Sequence, residues 1–203
     1  MYALLKTQYH WHGMLADCIR ICASSVAVQL EGAEFRPPHY LLPTAKDLKP
    51  FAVWCIDLIV KLRPAGPNGE QYVVVAICAF SKWLEVGLLN RKDAATISRW
   101  FHNNIACPYG TPLLVRSDRG TKFRGHFAAY LSSIGVQQAY ISTAHPRANG
   151  LVERYNACIK AGIWRLCSSL PGVEWYTCIF DVVAGLRFLP VRSGYTPYLL
   201  AFK

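Results

Sequence analysis

From Phe51 onward the apolar positions fall into runs of strand length. "FAVWCIDLIVKL" is a β-branched, apolar stretch, "RPAGPNGE" carries an Asn-Gly turn, and "QYVVVAICAF" is a second apolar run. The pair predicts a hairpin whose second strand is buried, and "KWLEVGLL" predicts a third strand, shorter and half polar. At Asp93 the period becomes helical. Asp93 caps a helix that places Ile97, Trp100, Phe101 and Ile105 on one face and ends at "CPYG". "PLLVRSD" is a further strand that stops at Asp118-Arg119-Gly120. A short helix over 126–133, a short strand over 136–141, a long helix from Asn149 to about residue 170 and a final helix over 175–189, closed by Pro190, complete the pattern. Three strands in a meander, then helices alternating with two more strands, predict an α/β fold: a mixed five-stranded sheet flanked by helices.

Ahead of this unit, residues 1–30 read as a short helical piece. Residues 31–50 contain Pro37, Pro38, Pro43 and Pro50 and read as an extended linker. The 203 residues suffice for one full domain and a short appendage. At 53% hydrophobic and 17% charged residues, the chain has the composition of a packed globular protein.

Charge adds a direction. The net charge is +10, from 22 Lys and Arg against 12 Asp and Glu, a balance that suits a polyanion-binding protein as well as mere solubility. Between Asp93 and Glu153 the only acid is Asp118, against Arg99, Arg116, Arg119, Lys122, Arg124 and Arg147. Eight cysteines without a CxxC pair read as reduced thiols. The N-terminus lacks the charged head and apolar stretch of a signal peptide. The longest strongly apolar run, 72–80, is about half of the ~20 residues that span a bilayer. Nucleus or cytoplasm is expected, with no secretion and no membrane segment.

Three carboxylates stand in unusual company. Asp57 lies inside "VWCIDLIV", where an ionised carboxylate needs a cation, a metal or hydrogen-bond donors unless it reaches an exposed edge. Asp118 ends a strand just before a glycine turn, a position also open to ordinary turn chemistry. Glu153 lies with Asn149, Asn156 and Lys160 along one polar stripe of the long helix, where it either serves chemistry or simply answers the helix dipole. Together the three are the ingredients of a two-metal site, in which hard cations about 4 Å apart clamp the attacking and leaving oxygens of a displacement at phosphorus. The surrounding basic residues would hold nucleic-acid phosphates.

The words "VWCIDL", "VVVAICAFSKWLE", "VRSDRGTKF", "STAHPRANGLVERYN" and "GYTPYLLAFK", in this order over residues 50–203, resemble the integrases of retroviruses and Gypsy-type LTR retrotransposons. The resemblance implies a ribonuclease H-like fold, with Asp57, Asp118 and Glu153 as catalytic, metal-binding triad for two magnesium or manganese ions. It also implies 3′-end processing and strand transfer of DNA, and a homo-oligomer. His145, Asn149, Asn156 and Lys160 would lie at the nucleic acid, and Arg116, Arg119, Lys122, Arg124 and Arg154 are further candidates for phosphate contact.

The chain departs from that family in three places. Asp118 and Glu153 have 34 residues between them, one fewer than is usual. The zinc module that precedes the core is expected here as a truncated, degenerate remnant over residues 1–30, because Ser25 and Val28 stand where its paired cysteines belong. His10, His12, Cys18 and Cys22 match no common zinc spacing, so zinc is not expected. Finally, the chain stops after "TPYLLAFK", without the usual C-terminal domain. Two functions compete: an active integrase core, or a noncatalytic or domesticated nucleic-acid-binding module derived from one.

Overall fold

The computed structural model of the protein describes residues 5, 9–24, 49–59, 62–141, 146–191 and 193–203, without the side chains of 19, 22–24 and 146–149. Most of the expected linker, Ser25, Val28, His145 and the side chains of Cys22 and Asn149 lie outside the described residues.

A helix, α1 (Met14–Ser24), precedes the sheet. The strands are β1 (Val53–Ile59), β2 (Tyr72–Cys78), β3 (Leu84–Leu89), β4 (Leu114–Ser117) and β5 (Gln137–Tyr140). They lie in the order β3-β2-β1-β4-β5. The β1-β2-β3 meander is antiparallel, and β4 and β5 add to it in parallel with β1. This is the mixed five-stranded sheet that the pattern predicts. Between β1 and β2 the expected Asn-Gly turn forms, with Gly69 at a left-handed φ of 79° that favours glycine.

Strand alternation divides the core into two layers. Trp54, Ile56 and Leu58 of β1, with Val74 and Ala76 of β2, face α2 (Ala94–Phe101) and α3 (His126–Ser133) through Ile97, Trp100, Phe101, Phe127 and Leu131. Cys55 and Ile59, with Val73, Val75 and Ile77, face α4 (Pro146–Ser169) and α5 (Trp175–Phe188) through Val152, Ile159, Ile163, Ile179 and Val183. Asp57 shares the odd-numbered face and is thereby aimed at α4.

Several elements differ from the sequence reading. β3 is buried on both faces rather than half polar, because only Glu85 and Leu88 keep partial exposure and Gly87 lies under the Trp100 indole, where a Cβ would come within 1.9 Å of Nε1. Asp93 caps α2 as expected, accepting from the Thr96 N–H at 2.9 Å, but the helix then widens into a π-type turn over His102–Ala106 before its last turn, Cys107–Tyr109. α4 begins at Pro146, three residues before Asn149. Proline suits the first helical position, where its missing N–H is not needed. A short helix that the pattern did not predict, α6 (Pro197–Phe202), is capped by Thr196. Among the described residues no helix is long and apolar enough to cross a membrane.

One polar cluster fastens the sheet edge to the helices. Glu85 Oε1 accepts from Trp83 Nε1 at 2.9 Å and from the Tyr109 hydroxyl at 2.5 Å, and it pairs with Arg187 of α5 at 2.7 Å. Burial first, and then the Glu85 carboxylate, push the Tyr109 hydroxyl up to about 12. The Arg187 guanidinium lies 4.3 Å from the Trp83 ring centroid and also donates to the Leu84 carbonyl. Glu85→Ala leaves the partly buried guanidinium without its charge partner, so we expect a loss of about 2–3 kcal/mol, measured as a lower urea midpoint with an unchanged m-value.

Candidate active site

The register of the parallel strands accounts for the meeting of the two aspartates. Val53 pairs with Leu114 and Cys55 with Arg116, so continuing by two residues brings Asp57 opposite Asp118, just past the C-terminal end of β4. Ligand crevices in α/β sheets form beyond such strand ends. The turn that follows is fixed by its own donors. The Gly120 N–H donates to Asp118 Oδ1 at 2.8 Å, and Gln138 Nε2 of β5 donates to the Phe123 carbonyl at 2.8 Å and to Ser117 Oγ at 3.1 Å. A Cβ on residue 120 would lie 2.8 Å from Asp118 Oδ1, so only glycine admits the carboxylate in this pose.

Lys122, in the 3₁₀ turn Thr121–Phe123, carries its ammonium between the two acids. Nζ is 2.9 Å from Asp118 Oδ2 and 3.8 Å from Asp57 Oδ1. The Asp57 carboxylate receives its second donor from α4: Asn156 Nδ2 donates to Oδ2 at 2.9 Å. Asn156 is 9% exposed, and its own Oδ1 is buried with no hydrogen-bond partner among the described residues. The amide cannot turn round to satisfy that oxygen, because doing so would face an oxygen to the carboxylate. Burial is the largest influence on Asp57 and pushes its carboxyl above the ordinary value, and the fields of Asp118 and Glu153 push the same way. The Leu58 N–H and Lys122 pull in the opposite direction without cancelling the rise.

Glu153 stands on the exposed side of α4. Because α4 begins at Pro146, Glu153 is two turns inside the helix, beyond the first turn over which the dipole acts. The helix-end explanation for this acid therefore loses its basis. Among the described residues no three His, Cys, Asp or Glu side chains are drawn into a closed metal cluster. Asp57 and Asp118 meet at the Lys122 ammonium, and Glu153 reaches Asp57 through its field.

The donor chemistry fits hard divalent cations. The available ligands are carboxylate oxygens, a cationic group already bridges two of them, and a buried amide oxygen beside them wants a donor such as a bound water.

Other expected contact residues divide between the surface and the interior. Arg119, Arg124 and Lys160 are exposed, with the Arg124 guanidinium 5.9 Å from the Tyr140 ring centroid, and Arg116 and Arg154 are half-buried. Lys122 and Asn156, expected at the nucleic acid, reach the aspartates, where each satisfies a charge that burial would otherwise leave costly. The supporting roles of Gly120 and Gln138 went unread in the sequence. Only the i, i+4 spacing of Asp118 and Lys122 signalled such an arrangement.

Residues 47–146 match the family described as "Integrase core domain", a span that holds Asp57 and Asp118 and ends before Glu153. The Gag-Pol polyprotein of walleye dermal sarcoma virus is 32% identical over 161 residues, 79% of this chain and 9% of that polyprotein. The Pro-Pol polyprotein of simian foamy virus type 3 is 26% identical over 201 residues, 98% of this chain and 17% of the polyprotein. The chain thus spans only a small part of the length of these relatives. Among solved structures, a simian T-cell lymphotropic virus intasome in complex with PP2A regulatory subunit B56 gamma superposes with a TM-score of 0.68 at 17% identity, covering 100% of this chain and 75% of that one. The HTLV-2 integrase catalytic core domain in complex with magnesium, in its dimeric form, gives 0.60 at 22% identity, covering 76% of this chain and 99% of that one. At such identities the likeness shows the fold, which is ribonuclease H-like: a mixed five-stranded sheet flanked by helices. With the sheet matched by the family and most of the chain's length aligned to retroviral polyproteins, residues 47–146 belong to the integrase core domain family.

Proposed function

We propose that this chain is the catalytic core of a retroelement integrase, which processes DNA 3′ ends and joins them to target DNA by phosphodiester transesterification. The observation that carries the reading is the convergence of Asp57, within β1, and Asp118, just past the end of β4, on one cation, with Asn156 of α4 donating to Asp57 and Glu153 near enough for its field to reach it. Asp57, Asp118 and Glu153 would hold two magnesium or manganese ions, which stabilise the charge on the attacking and leaving oxygens at phosphorus.

The chain's own residues position everything around that chemistry. Asn156 orients the Asp57 carboxylate, and the Gly120 N–H holds one oxygen of Asp118 while leaving the other to a cation. Exposed Arg119, Arg124 and Lys160 supply phosphate contacts. His145, which precedes α4 in the sequence, and Asn149, in its first turn, belong to the DNA end in this reading. Residues 51–203 form the core, 31–50 the linker and 1–30 the remnant of a zinc-binding module. The protein acts as a homo-oligomer on DNA, in the nucleus or the cytoplasm.

The test is Mg²⁺- or Mn²⁺-dependent strand transfer on a branched DNA that mimics the integration intermediate, comparing wild type with Asp57→Asn and Glu153→Gln. Transfer is expected in the wild type and not in either variant, with DNA affinity kept or raised. Equal activity in all three would refute the triad. No activity in any, with salt-sensitive binding in all, would point instead to a noncatalytic DNA-binding module.

Two further outcomes follow from the supporting contacts. Asn156→Ala removes the donor that orients Asp57 and should lower transfer about 10–100-fold while the protein remains folded by circular dichroism. A carboxyl with a raised native value contributes stability in full below its unfolded value, and that contribution is lost as the pH rises through the native value. At neutral pH the ionised Asp57 therefore costs stability. Asp57→Asn should raise the melting temperature in EDTA by about 2–4 °C, even as it abolishes transfer.

A further inference from the structure

We infer that Lys122 is a built-in counter-cation: its ammonium holds Asp57 and Asp118 together in the metal-free protein, and a divalent ion must expel it to bind. The inference rests on reading the two aspartates as metal ligands.

Three tethers fix the ammonium. Nζ is 2.9 Å from Asp118 Oδ2, 3.8 Å from Asp57 Oδ1 and 5.0 Å from the Phe123 ring centroid. The lysine side chain is 20% exposed, and the two carboxylates are 20% and 30% exposed, so water screens the cluster only partly. The remaining oxygens are already engaged, Asp118 Oδ1 by the Gly120 N–H and Asp57 Oδ2 by Asn156 Nδ2. The two oxygens that Lys122 faces are thus the ones a metal would take first. An ammonium and a divalent ion cannot share them, since like charges at that separation repel. The same lysine prevents the aspartates from repelling one another when no metal is present. Lysine suits such a place-holder better than arginine, because a compact, flexible ammonium withdraws more easily than a planar guanidinium that grips two oxygens.

The measurement is Mn²⁺ affinity, read from the loss of the free-ion electron paramagnetic resonance signal, for wild type, Lys122→Gln, Lys122→Met and Lys122→Arg. Both neutral variants should bind Mn²⁺ about tenfold more tightly, since the ion no longer has to break an ion pair. Lys122→Arg should bind no better than wild type. In EDTA the neutral variants should melt about 2–4 °C lower, and saturating Mn²⁺ should raise their melting temperatures by more than that of the wild type. Lys122→Met keeps an unbranched apolar side chain at this position and so separates loss of charge from loss of side-chain bulk. Equal or weaker Mn²⁺ affinity in the neutral variants would overturn the inference and leave the metal reading standing. No Mn²⁺ binding by any of the four proteins would overturn both.

Discussion

A carboxylate inside the central strand of a sheet covered on both faces governs the rest of this molecule. Asp57 has Ile56 and Leu58 as neighbours and lies opposite Val75, in surroundings that favour its neutral form. Nothing in the packing of β1 calls for an acid there. Beside the Leu58 N–H of its own strand, its charged form is favoured by Lys122, which approaches from the turn after β4, and by Asn156, which donates from α4. Each of those contacts in turn requires an element to be where it is: the parallel register of β1 and β4, the turn held by Gln138, and α4 crossing the odd-numbered face of the sheet.

The arrangement costs stability. Two aspartates and a nearby glutamate repel one another, and the fold tolerates them by placing a lysine between two of them and an amide beside one. The cost falls on a site whose neighbours are rigid. Trp54 and Ile56 are buried on one side of β1 and Cys55 on the other, so the strand cannot shift to relieve the charge. The distant Glu85–Arg187 pair serves only to fasten β3 to α5, and it shows the same chemistry satisfied by direct ion pairing.

Much of this was legible in the sequence. Apolar runs of strand length marked β1 and β2, and Asp93 marked the start of α2, because burial and capping are local signals. An aspartate among apolar strand residues marked a candidate site for the same reason. The inward turn of Lys122 and Asn156 was not legible. Each residue reads as a surface polar group until the sheet register places a buried carboxylate within its reach. Helix α4 starts at Pro146 rather than at Asn149, because proline suits the first helical position. Helix α6 carried a readable cap and a proline in Thr196-Pro197, but six residues are too few for periodicity to register. The π-type turn after α2 has no local sequence signature at all.

The central claim is that Asp57, Asp118 and Glu153 form one divalent-metal site in which Lys122 gives way to the ion. Anomalous diffraction at the manganese edge from crystals of this chain soaked in Mn²⁺ tests it most directly. The account predicts an anomalous peak within coordination distance of Asp57 and Asp118, with Lys122 Nζ withdrawn from both and Glu153 turned toward the ion. A Lys122 ammonium still bridging the aspartates with no peak beside them, or manganese bound only elsewhere, would contradict it.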